Sequence, residues 1–240
     1  TGFFISGDGY LLTNHHVAGN RECPGNCAGL KVFDRQERGQ RQTVFEGARL
    51  LFSDEDIDVA LLKVEPGPDG VHFVALSGDD PDLALEEGWA VHITGHPFAT
   101  LKKDTAGPLE YRSGADYLID NFAFPGNSGS PLLDPQGRAI GLVKAIWYRI
   151  GDIDLKGRYG ESGIAATMAR ILEKYPFLTR LNKQWTTAED RQAIEEALAA
   201  MPDGLPLDEQ EVLGIEPASL SRDAIGPALA LLANGRAAGG

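Results

Sequence analysis

Three short segments of this 240-residue chain carry side chains able to act together. Leu12-Thr13-Asn14-His15-His16-Val17 offers two imidazoles at the end of a strand-like run. Asp56-Ile57-Asp58-Val59-Ala60-Leu61-Leu62-Lys63 places acids ahead of a short apolar run. Pro125-Gly126-Asn127-Ser128-Gly129-Ser130-Pro131 presents a serine between glycines. A serine hydroxyl is a weak nucleophile at neutral pH. It needs a base within hydrogen-bond reach, and the base needs an acid that fixes its tautomer. Taken singly, the segments read more simply as a surface histidine, a solvated turn acid and an ordinary Gly-Asn-Ser-Gly turn. Taken together they supply base, acid and nucleophile in the order His, Asp, Ser. The loop departs from the G-x-S-x-G elbow, because Ser130 stands where the last glycine would be.

The elements that must position these groups read as short strands. Phe3-Phe4-Ile5-Ser6 and Tyr10-Leu11-Leu12-Thr13 flank Gly7-Asp8-Gly9, a hairpin signal. Further strand patterns run over 30–33, 42–45, 48–52, 59–64, 90–94, 117–120, 131–133 and 139–143. Many short strands with Gly, Pro and Asp turns favour a barrel or sandwich over βαβ units. The pattern turns helical after Gly163. Residues 168–175 predict a helix stopped before Pro176. Thr186 with Glu189 resembles a capping box opening a helix to about Met201, and a last helix is predicted over 221–234.

Composition narrows the partners. The formal charge is −13 and the isoelectric point about 4.8, a surface that repels phosphate backbones and anionic membranes. No nucleic-acid partner and no membrane partner is expected. No run approaches the roughly 18 apolar residues of a membrane span. The two cysteines, Cys23 and Cys27, lie in a turn-rich stretch. A local disulfide is the preferred reading, with free thiols or a zinc site as alternatives. No metal and no cofactor is expected: His92 and His96 are four apart, but Gly95 and Pro97 argue against the helix a metal pair at that spacing needs. Thr1 is not a methionine and no signal peptide is visible, so a periplasmic or secreted location is favoured only through the cysteines, with a cytoplasmic one open.

The chain resembles trypsin-like serine peptidases of the chymotrypsin fold, in their bacterial HtrA-like branch. Thr1-Gly2-Phe3-Phe4-Ile5 and the first chemical segment are similar to that branch's opening strands and its T-N-x-H-V motif. Asp58-Val59-Ala60-Leu61-Leu62-Lys63 resembles D-[IVL]-A-[LV]-[LI]-K, and Gly95-His96-Pro97-Phe98 a G-N-P-F turn. Gly126-Asn127-Ser128-Gly129-Ser130-Pro131-Leu132 is similar to G-N-S-G-[GS]-P-L, and Gly163-Ile164-Ala165-Ala166 looks like the last barrel strand. The likeness covers about residues 1–180 and implies that strand and leader residues precede Thr1; beyond about residue 185 nothing matches the branch, and that stretch does not look like a PDZ domain.

The resemblance implies an all-β fold of two six-stranded β-barrels, about 1–80 and 81–167, followed by a helix at 168–175; the helical pattern beyond it reads as an acidic extension over 181–240. It selects His16, the residue before Val, over His15, and Asp58 over Asp54 and Asp56. It implies a serine endopeptidase in which Ser128 attacks, and the backbone N–H groups of Gly126 and Ser128 hold the oxyanion. Asn127 stands where trypsin-type zymogens carry an aspartate, so activation by a freed N-terminus is not expected. Asn121, Phe122, Ala123 and Phe124, with Val143, Lys144, Ala145 and Ile146 opposite, would line the pocket for the substrate's P1 side chain. An apolar or small P1 residue is expected, an acidic one if Lys144 points inward. The expected partner is a protein or peptide; Leu229-Ala230-Leu231-Leu232 in the 185–240 stretch reads as a packed helix face, with a partner or regulatory contact as the alternative. A His-His pair also resembles the T-N-H-H motif of dipeptidyl peptidases with this fold. That reading and a catalytically inactive binding module are the alternatives.

Overall fold

The computed structural model describes residues 1–18, 31–34, 43–77, 88–113, 116–121, 123–148 and 161–201. Strands β1 (Phe3–Phe4) and β2 (Tyr10–Thr13) form the expected hairpin. Its turn is closed by Ser6 Oγ, which donates to Asp8 at 2.7 Å and accepts from Tyr10 N–H at 3.0 Å. Strands β3 (Val32–Asp34) and β4 (Thr43–Phe45) make a separate two-stranded ribbon. Strands β5 (Arg49–Asp54) and β6 (Val59–Lys63) complete a sheet in the order β1-β2-β6-β5. All five residues of β6 are buried. A strand flanked on both sides and covered on both faces needs such an unbroken apolar run. Its one charge, Lys63, is satisfied by the Val64 carbonyl at 2.6 Å and Glu65 at 3.1 Å.

The second half closes on itself. Strands β7 (Ala90–Gly95), β8 (Lys103–Ser113), β9 (Asp116–Ile119), β10 (Pro131–Leu133), β11 (Ala139–Tyr148) and β12 (Glu161–Thr167) form a barrel in the order β10-β11-β12-β9-β8-β7, with β7 pairing back onto β10. Val91, Ile93, Leu109, Ile119, Leu132, Val143 and Ala165 fill it. Of the two expected barrels, this six-stranded closure is observed. In the first half the described residues form the four-stranded sheet and the ribbon. Strand β8 escapes a sequence reading because Gly107-Pro108 sits in its middle and mimics a turn. In the structure Gly107 and Pro108 pair with Val91 and Ala90, just before a register shift between Leu109 and Tyr111.

Helix α1 (His15–Ala18) follows β2; α2 (Met168–Lys174), α3 (Leu178–Leu181) and α4 (Ala188–Ala199) follow the barrel. Helix α2 ends before Pro176 as predicted and buries Met168, Ile171 and Leu172 in a cluster with Phe52 and Ile57. Asn182 ties this region to the first half: its amide donates to the Ile5 and Val74 carbonyls, and its oxygen accepts from Leu76 N–H. The expected capping box is shifted by one residue. Thr187 and Asp190 form it, while the Thr186 hydroxyl donates to the Asp8 carboxylate. Thr186 is buried, and with its hydroxyl taken by Asp8 the cap passes to Thr187. The expected Cys23–Cys27 bridge and the 221–234 helix lie outside the described residues.

Asp190 gives this cap a pH signature. A hydrogen bond from Lys183, together with the Thr187 N–H and hydroxyl, lowers its pKa from 3.8 to about 2. A depressed carboxylate contributes stability above its unfolded value and loses it as pH falls through the folded value. Asp190→Asn is therefore expected to lower the Tm at neutral pH. The gap to wild type should close between pH 3.8 and about 2, as circular dichroism melts at stepped pH will report.

Candidate active site

Thr13 ends β2 and the chain turns at Asn14, whose carbonyl accepts the Val17 and Ala18 N–H groups and starts α1. This turn separates the two histidines. His15 Nδ1 lies 2.7 Å from Ser53 Oγ, while His16 Nδ1 lies 3.0 and 2.8 Å from the two Asp58 carboxylate oxygens. The His16 backbone N–H also donates to Asp58 Oδ1 at 3.0 Å. An ionised carboxylate only accepts, so this contact places the ring proton on Nδ1 and leaves Nε2 as an acceptor. Asp58 itself adopts a left-handed φ of +54°, and its carbonyl accepts from the Asn14 amide at 2.8 Å. Of Asp54, Asp56 and Asp58, it is Asp58 that meets His16. No hydrogen bond among the described residues joins His16 to the Ser128 hydroxyl.

Around Ser128 the backbone groups can be accounted for one by one. Phe124-Pro125-Gly126-Asn127 is a turn closed by Asn127 N–H to the Phe124 carbonyl at 2.9 Å, and Gly126 has φ +99°. Proline followed by a positive-φ glycine marks type II, in which the central carbonyl faces opposite to its type I direction. That carbonyl, Pro125 O, accepts from Phe98 N–H at 2.6 Å. Gly126 O accepts from the Thr1 hydroxyl at 2.6 Å, Asn127 O from Ser130 N–H at 2.8 Å, and Ser128 O from the Thr1 nitrogen at 2.8 Å. Gly129 N–H reaches Val143 O at 2.8 Å. Among the described residues, the N–H groups of Gly126 and Ser128 have no protein acceptor.

Several of these holding groups are not legible in sequence. Phe98 and Ala99 both have positive φ, +51° and +53°, an unusual strain that aims Phe98 N–H at the turn. The Phe98 ring, 63% exposed, packs 5.6 Å from that of Phe124. The Thr1 hydroxyl also accepts from His96 N–H at 3.1 Å, and Thr13 donates to the Thr1 carbonyl at 2.6 Å. The only sequence signal for this strap is the Gly95-His96-Pro97-Phe98 turn.

The expected pocket residues fall in different settings. Asn121 is buried and bridges β7 and β8 through the Val91 and Thr105 carbonyls. Ala123 and Val143 lie in the barrel core, Phe124 is half-buried and Ala145 exposed. Phe122 lies outside the described residues. Lys144 sits at a register shift in β11, and its ammonium is paired with Asp116 at 2.8 Å. His92 lies 3.5 Å from Asp104, and His96 Nδ1 donates to the Thr100 carbonyl at 3.0 Å.

Comparison with known proteins identifies the family. The family model described as a trypsin-like peptidase domain matches residues 1–142. A probable periplasmic serine endoprotease, DegP-like, of Hahella chejuensis is 35% identical over 160 residues, 63% of this chain and 30% of that protein. Its counterpart in Chlamydia trachomatis is 30% identical over 183 residues, 72% of this chain and 32% of that one. The chain thus spans about a third of the length of these relatives. The HtrA-type protease AlgW, solved with a tripeptide, matches at a TM-score of 0.55 and 27% identity over 74% of this chain and 55% of that one. A variant of it solved with a decapeptide matches at 0.55 and 26%, over 73% and 49%. By the matched domain, the shared motifs and the closed barrel, the chain belongs to the trypsin-like peptidase family, in its HtrA-type branch.

Proposed function

We propose that this chain is the catalytic part of a serine endopeptidase acting through His16, Asp58 and Ser128. The observation that carries the reading is the Asp58 carboxylate on His16 Nδ1, which leaves Nε2 free to take a proton. In the proposed cycle a peptide lies extended beside the loop, and its scissile carbonyl oxygen occupies the space before the Gly126 and Ser128 N–H groups. His16 Nε2 takes the Ser128 proton as Oγ bonds to the carbonyl carbon. The tetrahedral oxyanion is held by the two N–H donors. His16 then protonates the leaving amine, and the C–N bond breaks to leave an acyl-enzyme. Water, deprotonated by His16, releases the acid product. Asp58 stabilises the imidazolium through both stages. The cycle needs no standing His16–Ser128 hydrogen bond, since catalytic hydrogen bonds often tighten only on substrate binding.

The fold likeness supports reading the first-half sheet and ribbon as parts of a first barrel of the chymotrypsin type. The relatives' names support a periplasmic or secreted location, and the peptide complexes of AlgW support a peptide or protein substrate. Lys144, engaged by Asp116, offers no free cation for an acidic P1 side chain. Phe124 supports an apolar one.

A fluorophosphonate probe tests the reading. Labelling is expected at Ser128 alone, located by peptide mass mapping. A peptide library should then show internal cleavage after apolar or small residues. A folded chain that resists the probe favours the binding-module alternative, and release of dipeptides from free N-termini favours the dipeptidyl peptidase.

A further inference from the structure

The turn that delivers Asp58 is gripped by a buried network the reaction itself does not use. Asp54 ends β5 and is 9% exposed. Its Oδ1 accepts the N–H groups of Asp56 at 2.9 Å and Ile57 at 3.4 Å. Its Oδ2 accepts the Tyr175 hydroxyl and lies 2.6 Å from Lys174 Nζ, at the C-terminal end of α2. Lys174 also reaches Asp56 at 3.5 Å. Ile57, 2% exposed, is buried in the cluster that holds Tyr175 and Phe177. Asp58 N–H closes the turn on the Glu55 carbonyl at 3.3 Å, and Asp54 pairs with Val59, the last pair of the β5–β6 ladder.

We infer that Asp54, held by Tyr175 and Lys174, is a positioning residue that keeps Asp58 in its left-handed conformation and so keeps its carboxylate on His16. The inference rests on the proposed triad. A non-glycine residue at φ +54° sits in a sparsely populated region, and such a conformation persists only when its surroundings over-determine it. The surroundings here are the Asp54 acceptor at one end of the turn, the buried Ile57 in the middle, and Asn14 on the Asp58 carbonyl. Releasing the first lets the turn relax and draws the Asp58 carboxylate off Nδ1.

The network holds across the working range of pH. Burial alone would raise the Asp54 carboxyl, but hydrogen bonds from Lys174 and Tyr175 outweigh it and leave it below its ordinary value. Hydrogen bonding to Asp54 raises Lys174; burial and Asp54 raise Tyr175. None of the three changes charge where a histidine titrates. A change in the pH profile of a variant therefore reports on His16, which Asp58 faces, while His15 is turned to Ser53.

The test compares Tyr175→Phe, Asp54→Asn and Asp54→Ala with Ile194→Val, a truncation in α4 that thins the same buried cluster and removes none of the Asp54 hydrogen bonds. Turnover is expressed per site titrated with a fluorophosphonate, so partial unfolding does not count as lost kcat. Since a 1 Å misplacement can cost about 10²-fold, kcat per site should fall about 3-fold in Tyr175→Phe, about 10-fold in Asp54→Asn and about 10²-fold in Asp54→Ala, with KM within about 2-fold. Asparagine keeps an oxygen for the turn N–H groups and so rescues part of the loss. Ile194→Val should keep kcat per site. The acid limb of kcat/KM should move to lower pH, because an imidazolium that loses its carboxylate deprotonates more easily. NMR titration of His16 should show the same downward shift whether or not the chain turns over. Wild-type kcat per site and an unmoved His16 titration in Tyr175→Phe and Asp54→Asn would overturn the inference. A wild-type chain inert to the probe would instead sink the peptidase reading, and the NMR shift would still decide this one.

Discussion

Ser128→Ala is expected to lower kcat by about 10⁶-fold, the scale on which removal of a triad nucleophile acts in serine peptidases. The fold should be indifferent to the change. The Ser128 hydroxyl bonds to no described residue, so its loss orphans no buried partner. Its carbonyl, which accepts from the Thr1 nitrogen, is a backbone group and remains. A Tm within about 1–2 °C of wild type is expected, since substitutions that break no buried contact usually stay within about 0.5 kcal/mol. Asp58→Asn should cost about 10⁴-fold by a different route. An amide that turns its NH₂ to His16 makes Nδ1 an acceptor and puts the proton on Nε2, where it cannot take one from serine. Burst kinetics and melting curves on the two variants check both statements. Wild-type turnover in either would remove that residue from the mechanism.

The residues differ in how far the sequence announces them. His16, Asp58 and Ser128 stand in short contiguous segments, and the likeness of those segments to the HtrA-like motifs singles each residue out from its neighbours. Gly126 could be nominated for its backbone, and its φ of +99° shows why a side chain is absent. The groups that hold these residues are another matter. Phe98 N–H meets the Pro125 carbonyl through two backbones distant in sequence. No side-chain type encodes such a contact, and a left-handed phenylalanine contradicts the ordinary preference at that position. Asp54 is legible only as one of three aspartates at alternate positions, 54, 56 and 58. Its partners Lys174 and Tyr175 arrive from a helix more than a hundred residues later. Lys144 shows the limit of strand alternation: inward or outward hangs on a register shift between Val143 and Ala145 that the sequence does not mark.

Gly126→Ala carries the second large effect. A Cβ at this position would lie 2.7 Å from His96 O and 2.8 Å from Phe98 N. Both are backbone atoms of the strained Phe98–Ala99 loop and cannot swing aside as a side chain would. The positive φ adds strain of its own for any L residue. The cheapest relief is to rotate the Pro125–Gly126 peptide toward a type I turn, which accepts alanine. That rotation pulls Pro125 O away from Phe98 N–H and turns the residue 126 N–H away from the space before Ser128. One oxyanion donor is then lost, so kcat should fall about 10²–10³-fold while the His16–Asp58 pair stays intact. Probe labelling should slow in proportion, because the phosphonyl oxygen uses the same donors. Gly137→Ala separates strain from site. It too has positive φ, +78°, but nothing lies within 4 Å of its Cβ position, in the hairpin between β10 and β11. It should lower the Tm and leave kcat alone. Equal kcat losses in the two variants would mean that general destabilisation, and not a displaced donor, explains the effect at Gly126.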